Sequence, residues 1–200
     1  MPAPLEFYFD FSSPYAYIAS ECIEPLAARH GRAVRYRPTL LGAVFRISGQ
    51  RPLTEIPVKG DYARRDFARS ARFAGIPFAM PEPFPIGTVT AARACLVLQG
   101  ADPAGADNFI HAAFRAYFAE GRNLSDPQVV HDVLARTGAD ADAVLEAAAT
   151  APVKDALKAA VDASLARGVF GTPFIFVDDE PFWGSDRLPQ IDRWLSSGPF

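Results

Sequence analysis

The chain has 200 residues, half of them hydrophobic and 22% charged, which is enough for one domain with a full core. Its net charge of −3 gives no basic surface for nucleic acid, and no apolar run approaches the roughly 18–20 residues of a membrane span. The opening M-P-A-P-L-E has neither a basic stretch nor a leader-like apolar core, so no export signal is expected and the expected compartment is the cytoplasm.

From Glu6 the chain reads E-F-Y-F-D-F-S-S-P-Y-A-Y-I. The aromatic run Phe7, Tyr8, Phe9 and Phe11 predicts a short strand buried on both faces. Ser12, Ser13 and Pro14 stop it and open a helix, since a hydroxyl residue before Pro is the expected N-cap followed by N1. That helix runs to about His30 along a stripe of Ala16, Ala19, Ile23, Leu26 and Ala27, and Gly31 ends it. Residues 33–41 begin with alternation and read as a second strand, parallel to the first across the helix.

From about Gly42 to Arg167 the pattern is helical, broken by Gly and Pro, with no convincing strand. Residues 62–74 put Ala63, Phe67, Ala71 and Ala74 on one face and Arg65, Arg69 and Arg72 on a solvated face. Residues 77–85 form an extended Pro-rich segment carrying Phe78, Met80 and Phe84. Helices are predicted over 88–98, 107–119, 127–136, 140–148 and 152–166. Residues 174–177 read as a third strand, 181–183 as a fourth and 187–195 as a closing helix.

The strand–turn–helix at the start, together with the late G-V-F-G-T-P-F-I-F-V, forms the signature of a thioredoxin fold. In that fold the Thr172–Pro173 bond is cis and lies beside the N-terminus of the first helix. The expected class is α/β: a thioredoxin-like domain of residues 1–41 and 168–200, interrupted by a large all-helical insertion of residues 42–167.

Ser13 taken alone is a helix cap. Its side chain also sits where anions are favoured, because a helix N-terminus carries partial positive charge. Serine stands where a redox member of this fold has its first cysteine, and Ala16 where it has its second. A hydroxyl cannot exchange disulfides, which requires a thiolate. It can donate to a thiolate brought by a cosubstrate, a charge-assisted bond worth about 1.5–3 kcal/mol. Cys22 and Cys95 belong to no C-x-x-C pair and read as packing residues in a reducing compartment. His30, His111 and His131 lack paired ligand spacing, so no metal is expected.

Four pieces follow one another from Phe7 to Arg187: F-Y-F-D-F-S-S-P-Y-A-Y, S-G-Q-R-P-L-T-E-I-P-V-K-G-D-Y-A-R-R-D, G-I-P-F with a following F-P, and G-V-F-G-T-P-F-I-F-V-D-D-E-P-F-W-G-S-D-R. In this order they resemble the 2-hydroxychromene-2-carboxylate isomerases and the related kappa-class glutathione transferases. The resemblance implies glutathione as cofactor, with Ser13 facing its thiol. It implies that Val169, Phe170, Thr172 and Pro173 meet the cysteinyl part as a strand edge meets a peptide. Ser185 and Asp186 would hold the γ-glutamyl end, and Lys59 would lie near glutathione or an acidic substrate. Read without the resemblance, Ser185-Asp186 is equally a helix cap and Lys59 a solvated lysine. Relatives commonly carry Asn in a G-N-x-P segment where this chain has Gly49-Gln50-Arg51-Pro52, so Gln50 carries the amide one methylene further out.

The aromatic candidates for a second substrate are Tyr15, Tyr17, Phe78, Phe84, Phe170 and Trp183, with Tyr15, Tyr17, Phe84 and Trp183 foremost. They suit a flat aromatic carboxylate. The implied activity converts 2-hydroxychromene-2-carboxylate, or a close analogue, to trans-o-hydroxybenzylidenepyruvate by thiolate addition, bond rotation and elimination. Such a step belongs to aromatic catabolism, naphthalene degradation included. A kappa-like transferase or peroxidase and a redox-inactive binding protein stand as alternatives. The oligomeric state stays open, a homodimer among the options.

Overall fold

The computed structural model describes residues 2–200; Met1, with which the expected first segment begins, lies outside them. In chain order the elements are β1 (Leu5–Phe9), α1 (Pro14–Arg29), β2 (Val34–Pro38), α2 (Leu41–Ser48), a 3₁₀ turn (Leu53–Glu55) and α3 (Lys59–Phe73). Then come α4 (Val89–Ala101), α5 (Pro103–Phe118), α6 (Pro127–Arg136), α7 (Ala141–Ala148) and α8 (Ala151–Ala166). The chain finishes with β3 (Phe174–Val177), β4 (Glu180–Trp183), a second 3₁₀ turn (Ser185–Arg187) and α9 (Leu188–Ser197). This is a thioredoxin fold with a helical insertion between β2 and β3.

The strands form one mixed sheet in the order β2-β1-β3-β4, with β1 parallel to β2 and antiparallel to β3. A parallel neighbour requires a crossover, and α1 supplies it. Because β1 is central, both of its faces are covered. Phe7 and Phe9 point into the main core, while Tyr8 packs on the other face with Val169, Phe174 and Phe176.

The insertion is fastened to the sheet by aromatic rings. Phe114 of α5 lies 5.6 Å from Phe9 and 5.1 Å from Phe11, and its ring also meets Tyr17 of α1 at 6.0 Å. Burying rings of this size contributes about 1.5–3 kcal/mol each. These contacts fix α5 against the turn that leads into α1.

Several boundaries differ from the sequence reading: α3 begins at Lys59 and α5 at Pro103, three and four residues before the expected starts, and α4 runs on to Ala101. The second strand ends at Pro38, and Leu41–Ser48 form a helix at the start of the stretch read as helical, where no separate helix was placed. Leu40 gives that helix no side-chain cap; instead the Leu41 N–H donates to the Asp10 carboxylate at 2.7 Å. The closing helix begins at Leu188, after the 3₁₀ turn that holds Ser185 and Asp186. Elsewhere local signals decide the ends: Asp126 caps α6 and Asp140 caps α7 through their side chains.

Both cysteines are free, Cys95 buried on α4 and Cys22 half-buried on α1, and burial pushes both thiols up. Among the described residues, no helix is long and apolar enough to cross a membrane. No group of three or more His, Cys, Asp and Glu among them suits a metal ion.

Candidate active site

The site grows from the turn between β1 and α1. Ser13 is the N-cap of α1, with φ −102° and ψ 111°, and its Oγ accepts the Ala16 N–H at 3.2 Å. The same hydroxyl donates to the Thr172 carbonyl at 3.0 Å, joining the start of α1 to the loop before β3. The Thr172–Pro173 peptide is cis.

A cavity of about 940 Å³ opens over this point, toward the upper end of the roughly 300–1,000 Å³ of ligand sites. Thr172 lines it and is only 8% exposed, yet its Oγ1 has no hydrogen-bond partner among the described residues. An orphaned buried hydroxyl costs about 1–3 kcal/mol, and this one belongs to a residue of the cavity wall.

Asp10 lies at the floor. Its Oδ1 accepts the Ser12 N–H at 2.8 Å and the Thr88 hydroxyl at 2.7 Å, and its Oδ2 accepts the Leu41 N–H at 2.7 Å. Burial holds this carboxyl above the usual carboxylate range against the pull of those three donors. Ser12 is buried beside it and its Oγ accepts the Ile86 N–H at 3.2 Å.

The walls are aromatic. Tyr15 donates to Asp66 of α3 at 2.5 Å, and its ring meets Phe67 edge-on at 5.0 Å. Burial first, and Asp66 second, push the Tyr15 phenol far up, so it stays protonated. Burial would raise Asp66, but donors from Tyr15 and Arg69 outweigh it and hold the carboxyl low. Phe84 packs 6.2 Å from Phe67, and Phe45 of α2 lines the same cavity. Trp183 closes the far rim by lying against Gly171, where an added Cβ would sit 2.7 Å from the indole Nε1. Ser185, Asp186 and Arg187 follow on that rim, with Arg187 3.3 Å from Asp186. Gln50 comes next after Gly49, whose φ of 71° ends α2.

Ser13, Gln50, Thr172, Ser185, Asp186, Tyr15, Phe84 and Trp183 are therefore brought together around one cavity. Other residues singled out in the sequence lie elsewhere. Tyr17 is fully buried on the opposite side of α1 from Tyr15, donating to the Pro77 carbonyl at 2.8 Å and stacking on Phe118. Two residues along a helix is a turn of about 200°, which separates the two tyrosines. Phe78 also stacks on Phe118.

Val169 is core, and its N–H is taken by Ser164 at 3.0 Å, so it offers no free donor to a ligand. The Pro173 carbonyl accepts the Gly184 N–H at 3.0 Å. Phe170 supports Trp183 from behind, ring centroids 4.9 Å apart. Lys59 opens α3 on the exposed side and does not line the cavity.

Sequence reasoning missed Asp10, Asp66, Arg46 and Arg51, all of which line the cavity. Asp10 carried a usable signal, since a carboxylate inside the run F-Y-F-D-F must be buried and needs partners. The exposed Arg46 and Arg51 carried none, because their place on the rim depends on where α2 starts and ends.

Residues 4–196 match the family described as DSBA-like thioredoxin domain. The chain is 31% identical over 197 residues to a 2-hydroxychromene-2-carboxylate isomerase of Sphingobium xenophagum, covering 98% of this chain and 99% of that protein. It is 26% identical over 209 aligned positions to glutathione S-transferase kappa 2 of Caenorhabditis elegans, covering 98% and 92% of the two chains. A solved 2-hydroxychromene-2-carboxylate isomerase structure aligns with a TM-score of 0.82 at 29% identity, covering 94% of this chain and 92% of that one. The chain thus belongs to the DSBA-like thioredoxin family, alongside the 2-hydroxychromene-2-carboxylate isomerases and the kappa-class glutathione transferases.

Proposed function

We propose that the chain is a glutathione-dependent isomerase acting on 2-hydroxychromene-2-carboxylate or a close aromatic analogue. One observation carries the reading: the Ser13 hydroxyl caps a 16-residue helix at a cavity that neither cysteine lines. A nucleophilic thiol at that place has to come from outside the protein. The isomerase and kappa transferase relatives support the same view by their names.

Bound glutathione supplies a thiol that, once ionised, adds reversibly to a conjugated double bond. The chain's own residues favour that ionised form. Ser13 turns its proton from the Thr172 carbonyl toward the anion, and the N-terminus of α1 adds its partial positive charge. Both effects lower a thiol's pKa at that position.

The remaining groups fit a tripeptide with two carboxylates and an amine. The unpartnered Thr172 hydroxyl and the Gln50 amide suit its peptide groups, Asp186 its ammonium and Ser185 the adjoining carboxylate. Tyr15, Phe84 and Trp183 suit a flat ring, and Arg46 and Arg51 on the rim complement its carboxylate. Two free cysteines held unpaired fit a reducing compartment such as the cytoplasm.

The likeness to a kappa transferase favours a second reading, a transferase or peroxidase that consumes glutathione. Both readings require glutathione to bind, which linkage makes measurable. At a hundredfold excess over its dissociation constant, roughly 10 mM for a ~0.1 mM site, it should stabilise the fold by about 2.7 kcal/mol. Turnover is then followed with glutathione counted before and after. Full recovery supports the isomerase and stoichiometric loss the transferase. A melting temperature that glutathione leaves unmoved contradicts both.

A further inference from the structure

We propose that Ser12 is a second catalytic hydroxyl, donating a hydrogen bond to the carbonyl oxygen of an aromatic conjugated carbonyl substrate. This rests on the isomerase reading and names the bond made to the substrate rather than to the cosubstrate.

Adjacent in sequence, Ser12 and Ser13 are wired differently. Ser13 spends its proton on the Thr172 carbonyl and its lone pair on the Ala16 N–H. Ser12 accepts the Ile86 N–H at 3.2 Å, while its own proton finds no acceptor among the described residues. It is 7% exposed and lines the cavity. The nearest strong acceptor, Asp10, is already engaged by the Ser12 N–H, the Thr88 hydroxyl and the Leu41 N–H. A hydroxyl that accepts an N–H is polarised into a better donor, and with no protein acceptor beside it this one is left to donate to a ligand in the cavity that Ser12 lines. Thr172, whose Oγ1 is buried and without a partner among the described residues, stands on the same cavity wall. Phe45, Phe67, Phe84 and Ile86 give the cavity the apolar walls that an aromatic ring requires.

The chemistry needs such a donor. When a thiolate adds to the far carbon of C=C–C=O, a carbon–sulfur bond forms and the C=C electron pair moves toward the carbonyl. The oxygen then takes the negative charge, and the former double bond can rotate. On elimination the pair returns, the carbon–sulfur bond breaks and the thiolate leaves with its electrons. Nothing is oxidised or reduced. A fixed donor at the oxygen stabilises the charge in both directions, and removing one such donor lowers rates about 100- to 1,000-fold.

The test uses 4-dimethylaminocinnamaldehyde, a conjugated aromatic aldehyde whose absorption moves to the red when its oxygen accepts a hydrogen bond. It is titrated without glutathione into wild type, Ser12→Ala and Ser12→Thr. A red-shifted band is expected in wild type and Ser12→Thr and not in Ser12→Ala. Should the loss of the acceptor for Ile86 N–H unfold Ser12→Ala, Ser12→Cys keeps a weak acceptor, donates poorly, and should show a much smaller shift. With glutathione, Ser12→Ala should lose turnover of 2-hydroxychromene-2-carboxylate about 100- to 1,000-fold while the thiol pKa of bound glutathione stays at the wild-type value. No red shift in wild type, a shift that survives in Ser12→Ala, or a raised thiol pKa in Ser12→Ala each overturns the proposal. The dye arm contains no glutathione, so a failure of glutathione dependence sinks the isomerase reading and leaves the dye to judge Ser12 by itself.

Discussion

Helix α1 carries two polar regions that settle their hydrogen bonds in opposite ways. At its middle, Glu21 and Glu24 meet α5 in a closed network. Arg115 Nε donates to Glu21 at 3.0 Å, His111 lies 3.6 Å from Glu21 and 3.3 Å from Glu24, and the Tyr36 hydroxyl donates to Glu24 at 3.1 Å. At its N-terminus, neither the Thr172 hydroxyl nor the Ser12 proton has a partner among the described residues, and Arg46 and Arg51 stand exposed on the rim. Residue type does not distinguish the two regions, since both hold carboxylates, hydroxyls and arginines. Unmet capacity does. A closed network contributes stability, whereas an open one sacrifices some of it in readiness for a ligand.

The sharpest way to break this comparison is to damage the closed network. Burial alone would lower the His111 pKa, but Glu21 and Glu24 outweigh it and raise the imidazole to about 9. The folded state therefore holds this proton more tightly than the unfolded chain does. Its stabilisation is complete below the ordinary histidine value near 6.5 and is lost as pH rises through about 9. A shift of that size corresponds to about 3 kcal/mol at most. His111→Gln should thus weaken the fold by up to about 3 kcal/mol near pH 6 and flatten its pH dependence toward pH 9, leaving glutathione-dependent turnover unchanged. Urea unfolding at the two pH values gives the first quantity and a turnover assay the second. Activity that falls together with stability would erase the distinction.

The open region should respond with the opposite sign. Thr172→Val keeps the shape and removes the orphaned hydroxyl, so the ligand-free protein should gain about 1 kcal/mol. The stabilisation given by glutathione should shrink at the same time. Thermal melts with and without glutathione measure both changes. A variant less stable than wild type, with glutathione binding intact, would mean that the Thr172 hydroxyl serves the fold and not a ligand.

What could be read in the sequence follows from how local each cause is. The strand–Ser–Pro–helix start, the Asp126 and Asp140 caps and the apolar strand after Pro173 depend on neighbouring residues, and their elements lie where the pattern put them. The start of α2 was illegible, though its stretch read as helical, because its first N–H is satisfied by Asp10, 31 positions earlier. With it went one wall of the site, including Phe45 and Arg46. The pairing of Ser13 with Thr172, 159 positions apart, was approached only through the fold resemblance. Tyr17 shows the converse limit. Aromatic character suggested the cavity, while helical geometry placed the ring in the core.

The most direct test concerns the thiolate at Ser13. The absorbance of ionised thiol in bound glutathione, titrated with pH in wild type and Ser13→Ala, reports the thiol pKa in each. The expected result is a higher pKa in Ser13→Ala, with turnover lowered about 10- to 150-fold, the equivalent of 1.5–3 kcal/mol, and partly recovered as pH is raised. The fold itself should lose only the ~1 kcal/mol of a helix cap. Identical thiol pKa values in the two proteins would contradict it and leave Ser13 a cap alone.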